Sequence, residues 1–182
     1  PRLAAPTSPV GPQIARFLVR DNIRHRNDIA NAYLDAIQNA RHKVLIANAY
    51  FLPGYRFRHA LKAAAQKGVE VVILLQGRSD HPLLHYATQA LYGALLKDGI
   101  RVFEYTRSFL HAKVAVVDER WATVGSSNID PFSLLLAKEG NLEIVDREFA
   151  LALESSLTQA MAEGAQELRT EDLQRFPLHS RL

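Results

Sequence analysis

Two apolar runs of strand length, VLIANAYF (Val44 to Phe51) and VEVVILLQG (Val69 to Gly77), flank a stretch of helical period that ends in glycine. The pattern then repeats. His81 to Lys97 reads as a second helix closed by Gly99, and Ile100 to Tyr105 as a third strand. Buried strands alternating with helices of this length leave few architectures open. Parallel strands need a crossover, and a helix supplies it, so the run predicts a right-handed β–α–β–α–β unit. The first of these helices, Arg56 to Lys67, stops at Gly68, where a left-handed residue is least costly. Upstream, Ile29, Tyr33 and Ile37 recur at helical spacing between Asn27 and Ala40. Downstream come one more strand around Asn141 to Val145 and a last helix. The stripe of Phe149, Leu153, Leu157 and Met161 on that helix reads as a core face rather than a surface lying on a membrane. The expected fold class is α/β: a mixed, largely parallel sheet flanked by helices, with a hairpin between Lys113 and Gly125.

A chain of 182 residues, 48% of them apolar, is long enough for one domain with a proper core. Cysteine is absent, which excludes disulfides, thiol catalysis and thiolate metal sites. The net charge of +3 and a pI near 9.3 permit anionic partners without requiring them. No apolar run approaches the roughly 20 residues of a membrane span. The opening PRLAAPTSPVGPQ holds four prolines in thirteen residues. Residues 1–20 are therefore expected to be a linker or tether, and 21–182 a single domain. A start at Pro1 without Met suggests a fragment or a processed product.

The segment FLHAKVAVVDERWATVGSSNID (Phe109 to Asp130) carries the chemistry. Lys113 to Val117 and Trp121 to Gly125 are β-rich runs around a polar DER turn. A turn centred on Glu119 and Arg120 would set Asp118 against Trp121, Lys113 against Ser126 and His111 against Asn128. Residues two apart share a face, as do directly opposed residues, so the four polar side chains would form one patch. A one-residue change in the turn would break that alignment. Lys113 offers a compact cation, and Ser126 and Asn128 neutral donors, a set suited to a tetrahedral anion such as phosphate. His111 can attack phosphorus or pass a proton near neutral pH. No Gly-rich phosphate loop, Ser elbow or paired-carboxylate metal site accompanies them. The chemistry expected is phosphodiester chemistry without metal or other cofactor. One histidine supplies either the nucleophile or the proton at a given step, so a second is chemically expected.

The spacing His111-x-Lys113-x4-Asp118-x6-Gly125-Ser126-x-Asn128 resembles the signature of the phospholipase D superfamily. Outside it, IANAYFLPGYRFRHAL, GVEVVILLQG and EGNLEIVDREF resemble bacterial cardiolipin synthases, of the type without N-terminal transmembrane helices. The likeness runs from about Asp21 to Leu168 and is to the C-terminal half of such an enzyme. The resemblance implies a phospholipase D-like sheet and a phosphatidyltransferase working through phosphohistidine. His111 would be one of two catalytic histidines. Lys113 and Asn128 would hold phosphoryl oxygens, with Ser126 in support. Asp118 belongs to the signature, yet its turn position suggests orientation rather than substrate contact. A carboxylate that orients a histidine is expected too: Glu139 first, Glu143 in reserve. Such enzymes carry two motifs and this chain carries one, so the second would come from a missing upstream half or a second copy. Implied partners are anionic phospholipids at a peripheral membrane surface, on the cytoplasmic side of a bacterial inner membrane. A phosphodiester hydrolase, either a phospholipase or a dimeric nuclease, is the alternative. A binding-only half-site is a third reading. Scattered charges give no sign of the basic groove with stacking aromatics that nucleic acid would need.

Other features have plainer readings. His81 and His85 stand at i, i+4, but HPLLH lacks the glutamate of a zinc helix and no third ligand is evident, so a surface or pocket-edge role is expected. RDNIRHR (Arg20 to Arg26) reads as a solvated helix entry more readily than as a contact for phosphate headgroups or nucleic acid. Tyr50 and Phe51 read as core more readily than as a substrate channel, and Trp121 as hairpin packing.

Overall fold

The computed structural model describes residues 11–78 and 82–175. The first ten residues and His81 lie outside them. The strands are β1 (Ile14–Arg20), β2 (Lys43–Asn48), β3 (Glu70–Gln76), β4 (Arg101–Tyr105), β5 (Lys113–Val117), β6 (Trp121–Gly125), β7 (Glu139–Val145) and β8 (Ala165–Glu167). The helices are α1 (Asp28–Asn39), α2 (Tyr55–Gln66), α3 (Pro82–Lys97), α4 (Pro131–Leu135) and α5 (Arg147–Gly164), followed by a 3-10 turn at Thr170–Arg175.

One eight-stranded sheet has the order β1-β7-β6-β5-β2-β3-β4-β8. The β2-α2-β3-α3-β4 run is parallel, as the alternation requires. The rest of the sheet is not. Five of the seven neighbouring pairs are antiparallel, so the largely parallel sheet expected from the sequence is corrected to a mixed one. The reason is connectivity: only helical crossovers impose parallel pairing, whereas β5 to β6 is a hairpin and both edges are closed by antiparallel strands.

Both predicted glycine stops are in the left-handed region, Gly68 at φ 88° and Gly99 at φ 80°. Each lets the chain reverse so that the next N–H, of Val69 or Ile100, bonds a carbonyl of the last helical turn, Ala64 or Leu95. The expected tether is corrected in part. Residues 14–20 form β1, an edge strand antiparallel to β7, because its alternate residues Leu18 and Arg20 are buried although most of the strand is exposed. A strand paired on one side needs only this weak pattern, which the prolines masked.

The core has two sides. Tyr33 and Ile37 of α1, Phe57 and Leu61 of α2 and Tyr92 of α3 pack on Val44, Ile46, Ile73 and Ala115. On the opposite face α5 lays Leu157, with Leu153 and Met161 partly buried, against Leu45, Ala47, Val72 and Leu74. Its stripe is a core face. Phe51 is fully buried, and Trp121 packs edge-on against Tyr33 with ring centroids 5.8 Å apart.

Candidate active site

The ends of three neighbouring strands meet at one end of the sheet. His111 lies just before β5, residues 126–130 follow β6, and Glu139 opens β7. Continuing the β2–β5 register from Asn48↔Lys113 brings His111 beside Tyr50. The Tyr50 N–H donates to Asn128 Oδ1 at 3.3 Å, so this one residue links the histidine segment to the Asn128 loop.

The expected hairpin register is corrected by one residue. Val117, not Asp118, pairs with Trp121, and Val114 pairs with Val124. The tight turn is Asp118 and Glu119, both at positive φ (52° and 53°), closed by Arg120 N–H to the Val117 carbonyl at 3.1 Å. Arg120 is an extra, bulged residue whose own carbonyl accepts from Asp146 N–H. Extending this register opposes Lys113 to Gly125 and His111 to Ser127, which would turn Ser126 and Asn128 to the other face.

The site is rescued because β6 ends at Gly125 and the loop after it is held by side chains. Asn48 and Asn141, both fully buried, perform this task. Asn48 Oδ1 accepts from Ile129 N–H at 3.1 Å. Asn141 Oδ1 accepts from Ser127 N–H at 3.3 Å, while its Nδ2 donates to Thr123 Oγ1 at 3.2 Å. Sequence reasoning missed both. The available signal was a polar residue interrupting a buried strand, at VLIANAY and GNLEI.

Lys113 and Asn128 are each only 8% exposed, and Lys113 Nζ donates to the His111 carbonyl at 3.2 Å. A cation held in so little water interacts strongly with any anion that reaches it. His111 is exposed, and among the described residues its ring makes no hydrogen bond. Glu139 is half-buried and accepts a short hydrogen bond from Ser126 Oγ, which itself accepts from Gly140 N–H at 3.1 Å. The carboxylate expected to orient a histidine is thus bonded to Ser126 within this chain. Glu143, the reserve, is spent elsewhere: it pairs with Arg16 at 2.7 Å and accepts from Trp121 Nε1 at 2.9 Å.

Asp118 is the site residue that the structure sets apart. It sits at the far end of β5, roughly 23 Å along the chain from His111 at strand rise. Its carboxylate accepts from the N–H groups of Arg41 and His42 (both 2.8 Å) and Lys43 (2.9 Å). Burial alone would raise its pKa, but these donors, Lys43 foremost, outweigh it and hold the carboxyl below its ordinary value. It anchors the hairpin to the start of β2.

The remaining candidates are placed as follows. His85 Nε2 lies 2.9 Å from Gln89 Nε2, and among the described residues no cluster of His, Asp and Glu could hold a metal ion. Arg20, expected in a solvated segment, is buried. Its guanidinium donates to the Leu135 and Ala137 carbonyls and to Asn22 Oδ1, tying β1 to the loop that follows Asn128.

Residues 33–161 match the family described as "Cardiolipin synthase, PLD-like domain". The chain is 49% identical over 149 residues to cardiolipin synthase B of Escherichia coli (strain K12), covering 82% of this chain and 36% of that protein. It is 36% identical over 139 residues to a probable cardiolipin synthase of Bacillus subtilis, covering 76% of this chain and 28% of that protein. The chain therefore spans about a third of these relatives. Among solved structures, Nuc from Salmonella typhimurium, a phospholipase D family member, superposes with a TM-score of 0.69 at 20% identity, covering 87% of this chain and all of that one. Phosphatidylserine synthase from Haemophilus influenzae gives 0.75 at 16% identity, covering 92% and 43%. These likenesses establish the fold.

Proposed function

The chain belongs to the phospholipase D-like domain family of cardiolipin synthases, and on that premise we propose that it is the motif-bearing half of a phosphatidyltransferase acting on glycerophospholipids. The observation that carries the reading is the meeting of an exposed His111 with buried Lys113 and Asn128 at one sheet end. The Lys113 ammonium offsets the charge of a phosphodiester, and Asn128, its Oδ1 engaged by Tyr50, offers its amide N–H2 to a phosphoryl oxygen. Donors fixed before the substrate arrives need no reorganisation as charge builds on phosphorus.

Two histidines complete the cycle, His111 being one of them. An imidazole nitrogen of one attacks phosphorus, and a P–N bond forms as the P–O bond to the headgroup breaks. The other donates a proton to the departing alkoxide. In the second half the incoming glycerol hydroxyl returns a proton to that imidazole and attacks phosphorus, and the P–N bond breaks. Ser126 and Glu139 lie at the same sheet end, joined by their mutual hydrogen bond. His111 stands open to solvent, so water attacking the same intermediate would give hydrolysis, and this is the second reading.

The second motif comes from an upstream half or a second copy. The uncovered part of the α5-side sheet face supports such a partner. Phe17, Leu142 and Val124 are opposed in one row across β1, β7 and β6, and are 68%, 39% and 37% exposed. The partners are phospholipids with a phosphatidylglycerol-like anionic headgroup, met peripherally at the cytoplasmic face of a bacterial inner membrane. No described helix is long and apolar enough to cross one.

Labelled phosphatidylglycerol tests the reading, with EDTA present, His111→Ala as control and molar mass measured on the same sample. Cardiolipin formed in EDTA and lost in the variant supports metal-free transfer, and a dimer mass identifies the second copy as the source of the second motif. Free phosphatidic acid as the sole product would replace transfer by hydrolysis. No turnover even after adding the upstream half would sink both.

A further inference from the structure

The loop joining Asn128 to Glu139 carries α4, whose outer side is apolar. Asp130, only 3% exposed, caps it by accepting from the N–H groups of Phe132 (2.7 Å) and Ser133 (2.9 Å). Ser133 and Leu134 turn inward. Phe132, Leu135 and Leu136 turn outward and are 61%, 61% and 63% exposed. Beside them Tyr55, 75% exposed at the start of α2, joins Leu34, Phe57, Leu134 and Leu135 around an apolar cavity of about 250 Å³. Ile23, 84% exposed, sits in the loop that Arg20 ties to the same segment through Asn22. A soluble surface rarely leaves so much large apolar side chain together without a use for it.

The exposed charges at the fringe of the patch that make no ion pair among the described residues are cationic. Arg24, Arg26, Arg56 and Lys138 are exposed and make no ion pair among the described residues. The neighbouring carboxylates are already occupied. Asp21 accepts from the N–H groups of Ile23, Arg24 and His25, Asp28 pairs with His25 at 2.7 Å, and Asp130 caps α4. An apolar centre rimmed by cations that make no ion pair among the described residues complements a bilayer surface bearing anionic headgroups: apolar side chains enter the interface and the cations meet phosphates. A second copy of this chain would instead bring the same cations face to face across the contact. The partner half has its own apolar seat on the β1–β7–β6 row.

We propose that the α4 patch docks this protein on an anionic bilayer, so that a phospholipid enters the site between Asn128 and Glu139 without leaving the interface. The proposal rests on the phosphatidyltransferase reading and adds to it the surface that meets the membrane.

Sedimentation with sucrose-loaded vesicles tests it, using phosphatidylcholine alone and phosphatidylcholine doped with phosphatidylglycerol, at low and high salt. The chain should bind the doped vesicles and release them as salt rises. Leu135→Ser/Leu136→Ser should lower the partition coefficient at least tenfold, and so should Arg56→Glu/Lys138→Glu, whose exposed side chains make the fold indifferent to the change. Arg147→Glu, on α5, should bind as the parent does. Circular dichroism of each variant should match the parent. Absence of binding by the parent overturns the proposal, as does undiminished binding by both double variants. A fall in molar mass from dimer to monomer in Leu135→Ser/Leu136→Ser would overturn it in favour of a contact between copies. Docking is read here without turnover, so vesicle binding with no transfer of a short-chain, dispersed phosphatidylglycerol would sink the transferase reading and leave the docking surface. Transfer without vesicle binding would do the reverse.

Discussion

Replacing Asp118 should cost stability and leave the chemistry alone, although the residue belongs to the signature that contains His111. Three backbone N–H groups converge on its carboxylate. Hydrogen bonds to a charged group contribute about 1.5–3 kcal/mol each when buried, and less where water can replace the lost acceptor. Asp118 is half-buried, so Asp118→Ala should cost about 2–4 kcal/mol in all. In a domain of this size that lowers Tm by roughly 5–15 °C. The backbone adds a second handle. At φ 52° an alanine carries a left-handed penalty of about 1–2 kcal/mol that glycine escapes, so Asp118→Gly should be the milder variant although it too lacks the carboxylate. The pH dependence follows from the lowered pKa. A carboxyl with a depressed folded-state pKa contributes stability that is fully present above its unfolded pKa, about 3.9, and is lost as pH falls through the folded value. The gap between parent and Asp118→Ala should therefore be full near neutrality and close in acid. Thermal melts by circular dichroism across that range read all three effects. His111→Ala, which removes an exposed side chain whose ring makes no hydrogen bond among the described residues, should melt within about 1 °C of the parent. An Asp118→Ala protein that melts like the parent while losing turnover would refute the reasoning and return the carboxylate to the reaction.

Gly125→Ala should be among the most damaging small changes, because an added Cβ would lie 2.2 Å from Asn141 Oδ1 and 2.5 Å from the Gly140 carbonyl. Pushing Asn141 aside releases the Ser127 N–H as well, so a loss above about 3 kcal/mol, or failure to accumulate soluble protein, is expected in urea melts. Arg20→Met keeps the buried stem but strips the carbonyls of Leu135 and Ala137 of their donor, and should cost about 2–3 kcal/mol in the same assay. Glu139→Gln should lower kcat for phosphatidyl transfer about tenfold or more while moving Tm by no more than about 2 °C. Ser126→Ala should do less, because Gly140 N–H and the Glu139 carboxylate can both turn to water at this exposed position.

The helices and central strands were legible because each carries its own signal. Gly68 and Gly99 mark stops by conformation alone, and the β2 and β3 runs are too apolar to lie anywhere but inside. The edges were not legible in the same way. β1 buries only Leu18 and Arg20, and β8 is three residues long, so neither has a pattern that its neighbours did not create. The direction of pairing was inferred from the helical crossovers and carried too far, into a half of the sheet built by a hairpin and edge strands.

The site shows the same division more sharply. The residue types His111, Lys113, Ser126 and Asn128 were readable, and the sheet end they share is where the hairpin argument set them. The argument itself failed, since Arg120 adds a residue that shifts the register by one. Had strand geometry alone carried Asn128, that shift would have turned it away from Lys113. It does not, because Asn48 and Asn141 fix the Asn128 loop by direct hydrogen bonds after the strand has ended. Spacing in a motif is therefore weak evidence for strand register when the motif crosses a strand end. A register error of one residue is absorbed wherever buried amides, rather than the pleat, position the functional side chains. Asn48 also keeps an unpaired Nδ2 in a fully buried position. Leaving that donor unbonded costs about 1–3 kcal/mol. A residue that carries this cost beside Lys113 is used for the loop it holds and not for the strand it interrupts.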